Sequence, residues 1–269
     1  MRQPSESEGE ARPSRLSRPC AQPLLRYPVR LFTFAAPSRF YALSGALLPW
    51  LWATFAVLCA MGLYRGFFIA PTDATQGEVY RVIFIHVPAA WMSMLLYLVM
   101  AFWAAIGWAF KARLASMVAQ AIAPTGAWFT FLALWTGALW GQPTWGTWWV
   151  WDARLTSELI LLFLYLGYLA LVEAIDDTRR ADRAGALLAI VGSVNVPIIY
   201  FSVKWWNTLH QGATITLSSA PTMAQSMLIA MLLMTLAFWA YAFALVFTRS
   251  RAIVLERERD TAWVADLGL

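Results

Sequence analysis

The chain has 269 residues, 60% of them hydrophobic and 13% charged, against roughly 45–50% and about 25% in soluble globular domains. That balance excludes an ordinary water-soluble enzyme. Cys20 and Cys59 form no Cys-x-x-Cys pair, which excludes a thiol redox motif, a zinc knuckle and a covalent haem attachment site, and no Gly-x-x-x-x-Gly-Lys phosphate loop is present.

Crossing ~30 Å of hydrocarbon takes about 20 apolar residues, because a helix satisfies its own backbone hydrogen bonds inside lipid. Residues 1–36, rich in Arg, Pro and Ser, lack apolar periodicity and are expected to be a disordered tail. The first span is predicted over 42–64; it carries no charge and is too long for a signal-peptide core, so it is read as retained. The second covers 83–110. A third covers 114–140, with Gly141 and Pro143 as its stop signals. The fourth, over 156–175, holds Glu158 and Glu173 near its ends. The fifth, over 184–203, contains Asn195 and Pro197, which predict a bend, and the sixth covers 222–248. These expectations define an all-α polytopic membrane protein with six transmembrane helices: a membrane domain over 37–248 and a tail over 249–269. Ile253, Val254, Leu255, Trp263 and Val264 suit that tail to a short helix on the membrane surface as well as to a solvated segment.

Lysine and arginine resist translocation, so their distribution orients the spans. The tails and the even-numbered loops hold sixteen of the 20 cations, and the odd-numbered loops hold four. Both termini are therefore expected in the cytoplasm, with the first, third and fifth loops facing outward. The net charge of +5 then reads as topology, and nucleic acid is not an expected partner.

The third loop, expected over 140–156, reads Trp140-Gly-Gln-Pro-Thr-Trp145-Gly-Thr-Trp148-Trp149-Val-Trp151-Asp152-Ala-Arg154. An aromatic belt at the lipid interface explains one or two tryptophans, normally spread over helix ends. Five within twelve residues suit the wall of a large planar apolar ligand. Asp152, just before the fourth span, is read first as a helix N-cap. Both histidines fall on the same side: His86 opens the second span and His210 lies in the fifth loop. Singly, each reads as a hydrogen-bonded interfacial residue. Together, flanking an indole surface, they are two axial nitrogens of the kind six-coordinate haem iron takes. Arg81 and Arg154 are placed to pair with the haem propionates, or alternatively to snorkel to lipid headgroups.

Three blocks carry a resemblance to a known family: Gln76-Gly-Glu-Val-Tyr-Arg81-Val-Ile-Phe-Ile-His86-Val-Pro-Ala-Ala-Trp91, Trp145-Gly-Thr-Trp-Trp-Val-Trp-Asp152-Ala-Arg-Leu-Thr-Ser-Glu158, and Val203-Lys-Trp-Trp-Asn-Thr-Leu-His210-Gln-Gly. They resemble the haem-handling membrane proteins with a tryptophan-rich WWD signature, and among these the CcmC (HelC) family of cytochrome c maturation. The resemblance covers roughly residues 37–250; the Arg- and Pro-rich N-terminal extension departs from the family's compact start. It implies a multi-pass protein of the bacterial inner membrane that holds haem non-covalently at its periplasmic face and presents it to the haem chaperone CcmE. The small membrane protein CcmD and the transporter subunits CcmA and CcmB are the further partners it implies. In that mapping His86 and His210 are the iron ligands, and Trp145, Trp148, Trp149, Trp151 and Asp152 form the WWD block.

Other classes fit less well. A redox subunit of the cytochrome b type holding two transmembrane haems needs four axial histidines, although a single permanent haem is compatible with two. A permease calls for midplane ionisable groups, where only Pro124, Asn195 and Pro197 stand out. An enzyme needs a nucleophile beside Asp152, Glu158 and the histidines, and the sequence places none there.

Overall fold

The computed structural model describes residues 36–210 and 221–268. The tail expected over 1–36 lies outside the described residues except for Ala36. Eight α-helices follow in chain order: α1 (Pro37–Tyr64), α2 (Ile83–Phe110), α3 (Arg113–Trp145), α4 (Ala153–Glu173), α5 (Thr178–Gly192), α6 (Asn195–Trp205), α7 (Gln225–Arg257) and the short α8 (Ala262–Ala265). A wider π turn, Arg65–Ile69, prolongs α1, and a 3-10 turn, Val79–Val82, leads into α2. Among the described residues six helical stretches are long and apolar enough to span a membrane, with α5 and α6 together making one of them.

Helices α3 and α7 run beyond the ends that the sequence predicts. Helix α3 runs through Gly141 and Pro143 and stops at Gly146, whose φ of 77° is the left-handed conformation that ends helices. Pro143 removes one backbone N–H from the ladder close to the helix end. Trp140 and Trp145 therefore lie on α3, and the connection to α4 is only the stretch 146–152. The fifth span breaks into two helices at the expected place. Asn195 opens α6 and donates its side-chain amide to the Ser157 carbonyl at 2.9 Å, tying the break to α4. Helix α7 continues to Arg257, beyond the predicted end at 248, because its last cation has partners. The Arg257 guanidinium donates to both Asp182 carboxylate oxygens (3.0 and 2.9 Å) and to Gln120 Oε1 (2.8 Å).

Helices α2 and α3 pack along their length, α4 and α5 complete the bundle, and α1 lies chiefly along α7. The interior is filled by Phe84, Tyr97, Met100, Phe129, Leu161 and Tyr165, all essentially inaccessible. Tyr165 donates to the Ser93 carbonyl at 2.8 Å, so this large buried side chain leaves no unpaired hydroxyl between α2 and α4. The chain reverses direction between successive spans, which brings the start of α2, the end of α3, the start of α4 and the end of α6 to one end of the bundle. The tryptophan segment and both histidines lie there.

Candidate haem site

His86 sits in the first turn of α2. Its Nδ1 lies 3.0 Å from the Ala133 carbonyl and 3.1 Å from Thr136 Oγ1, both on α3. A carbonyl only accepts, so Nδ1 carries the proton and Nε2 keeps the lone pair a metal needs. The imidazole meets Trp140 edge to face at 5.7 Å, and Trp140 donates its indole N–H to Gln76 Oε1 at 2.8 Å. The segment before α2 is thereby fastened to the last turns of α3 beside His86.

Asp152 caps α4 as the sequence predicts, its Oδ1 accepting the Leu155 backbone N–H at 2.8 Å. Its Oδ2 faces His210 Nδ1 at 3.6 Å. His210 stacks at a tilt on Trp145, with ring centres 5.1 Å apart. Burial, and then the charge of Arg154, hold the His210 pKa below the ordinary imidazole value, against the opposing pull of Asp152. Its ring is therefore neutral at pH 7, the form that binds iron.

The two histidines line one small, open pocket, together with Arg154, Glu158, Gly137 and Leu155. A second, smaller pocket lies behind Trp145, Trp148 and Trp149, and Gly137 and Leu155 line both. Of the sequence-predicted residues, Arg154 points into the first cavity and donates to the Ile199 carbonyl at 3.3 Å. Trp148 and Trp151 are exposed at 58% and 75%, forming an outer aromatic surface. Trp149 turns inward and leaves its indole N–H buried without a partner among the described residues. Arg81 lines neither cavity: it pairs with Glu78 and donates to the Gly66 (2.6 Å) and Ala70 (3.1 Å) carbonyls, holding the end of the first span against the start of α2.

The family model for CcmC, described as "Heme exporter protein C", matches residues 30–265. The chain belongs to the CcmC family. It is 46% identical over 237 residues to "Heme exporter protein C" of Escherichia coli K12, covering 88% of this chain and 96% of that protein. The protein of the same name from Bradyrhizobium diazoefficiens is 48% identical over 227 residues, 84% of this chain and 86% of its own. That of Paracoccus denitrificans is 40% identical over 228 residues, 84% and 94% respectively.

Two residues of this CcmC-family site escaped the sequence reading. The sequence reading gives Glu158 as a charge near the end of a span, as the last residue of the tryptophan block and as an acid-base candidate, but not as a lining residue; it lies one turn below Arg154 on the same face of α4. It is 7% exposed, and its Oε1 lies 2.7 Å from the Ser93 hydroxyl. The spacing of four from Arg154 was the available signal. Gly137 stood out in no motif. A Cβ there would sit 3.0 Å from His86 Cε1, so the glycine, which lines both pockets, makes room for the imidazole. Gly137→Val is expected to lower haem retention while leaving the amount of protein in the membrane unchanged. Haem content of the purified variant, normalised to protein, checks this.

Proposed function

We propose that this protein holds haem as cargo between His86 and His210 at the outward, periplasmic end of its bundle and hands it to the chaperone CcmE during maturation of c-type cytochromes. The observation that carries this is the pair of imidazoles on one cavity, each with Nδ1 turned to an acceptor on another element. That leaves Nε2 as the metal-binding atom, the usual arrangement of ligating histidines. The relatives' name, heme exporter protein C, agrees with that chemistry. The indole-lined second cavity supplies apolar wall for a porphyrin, and Arg154 supplies a cation for a propionate. In this reading Arg81 acts at the rim, by fixing the start of α2. The haem is of the b type, bound without a covalent link. CcmD and the CcmA and CcmB subunits are its companions, with ATP hydrolysis assigned to the transporter.

Transfer is the test that separates presentation from permanent redox use. Wild-type protein loaded with haem in membranes with CcmA, CcmB and CcmD should lose haem to added apo-CcmE. Haem that stays fully bound under those conditions would overturn presentation in favour of a resident cytochrome. Orientation has its own test. Reporter fusions after residues 75, 146 and 212 are expected to read as exported, and those after 112, 180 and 255 as cytoplasmic, from the sixteen-to-four cation split. An exported signal at 180 would break this topology.

A further inference from the structure

Asp152 does more in this geometry than cap a helix. Its side chain is 6% exposed and that of His210 is 17% exposed. Oδ1 is fixed by the Leu155 N–H, while Oδ2 and His210 Nδ1 are both buried without a hydrogen-bond partner among the described residues. These two atoms face each other at 3.6 Å. Bringing them to the usual ~2.9 Å takes a movement of about 0.7 Å, small for a ring in the segment beyond α6. Arg154, the nearby cation, makes no ion pair with Asp152. The carboxylate is thus anchored at one oxygen and free to receive at the other.

We propose that Asp152 is the positioning carboxylate of His210, accepting its Nδ1–H so that Nε2 is directed to iron and made the stronger donor of the two axial ligands. This rests on the assignment of His86 and His210 as ligands. The asymmetry follows from what lies behind each ring. His86 is backed by a neutral carbonyl and a hydroxyl, whereas His210 is backed by a carboxylate, which draws its N–H proton further and leaves more electron density on Nε2. Such a ligand favours ferric iron. The His210 bond is therefore the one that persists longest, and the His86 bond is the one that yields first when haem leaves.

The capping role and the positioning role separate cleanly by substitution. Asn and Ser both cap helices well, yet neither offers a carboxylate. Asp152→Asn and Asp152→Ser are expected to keep wild-type amounts of membrane protein, to bind haem about 10–100-fold less tightly, and to raise the midpoint potential of the haem that remains. A chemical version removes any dependence on how the variant folds. In His210→Gly, added imidazole can donate an N–H to Asp152 while 1-methylimidazole cannot. Imidazole should restore the six-coordinate spectrum at lower concentration, and that preference should vanish when Asp152→Asn is added. Bis-histidine haem in wild type, with potential, affinity and ligand preference all unchanged by Asn and Ser, would overturn the positioning role and leave the ligand assignment standing. Wild-type haem without bis-histidine ligation would overturn the assignment itself, and the positioning role with it.

Discussion

Replacing His86 or His210 by glycine is expected to strip haem from the protein and to convert what remains to a five-coordinate spectrum, without unfolding the helices. Removing only a ligand's supporting contact typically costs about 10–100-fold in metal affinity, so losing the donor atom itself should cost at least that. The two sites differ in what else they lose. His86 lies in the first turn of α2, where exchanging histidine for glycine costs a few tenths of a kcal/mol of helix propensity; the contacts to the Ala133 carbonyl and Thr136 also disappear. His210 lies beyond α6 in an irregular segment, so its removal leaves every helix intact. Added imidazole should restore the six-coordinate spectrum in both variants, because it can fill the vacated space with the same donor. Absorption spectra of the purified variants, with and without imidazole, decide the matter. Spectra unaffected by either replacement would end the ligand assignment.

The sequence made the scaffold and the two histidines that meet on one pocket legible for simple reasons. Apolar runs long enough for the hydrocarbon layer are hard to misread, and only two histidines were available to choose from. The Asp152 cap was legible too, since the residue type and the start of the span coincide. Boundaries were less legible because partners from distant parts of the chain set them. Helix α7 extends to Arg257 since Asp182 and Gln120 are there to meet it, and nothing local to residues 249–257 announces either. The same cause hid the setting of Arg81, whose acceptors are carbonyls freed at the end of the first span by the π turn. Gly137 was invisible for the opposite reason. Its contribution is the side chain it lacks, and that has meaning only once His86 is known to lie against it.

The tryptophans divide into separate tasks, and the division predicts a graded result. Replacing Trp148, Trp149 and Trp151 together by alanine is expected to reduce haem retention about 5- to 150-fold, from about 0.5–1.5 kcal/mol beyond area burial for each of the two wall rings, Trp148 and Trp149, while the protein remains in the membrane. Among single replacements, Trp149→Ala should cost the most. Its ring lines the cavity behind the loop and supports Trp151 edge to face at 5.4 Å. Trp151 lines neither cavity and is 75% exposed. Trp151→Ala should therefore leave haem content near wild type and slow delivery to the acceptor instead, because an exposed indole at the mouth of the site is positioned to touch the arriving chaperone. Haem content per protein and the rate of haem appearance on the acceptor measure the two effects separately. Unchanged haem content in the triple variant would return the loop to an interfacial aromatic belt, and equal losses from Trp149→Ala and Trp151→Ala would remove the distinction between wall and contact surface.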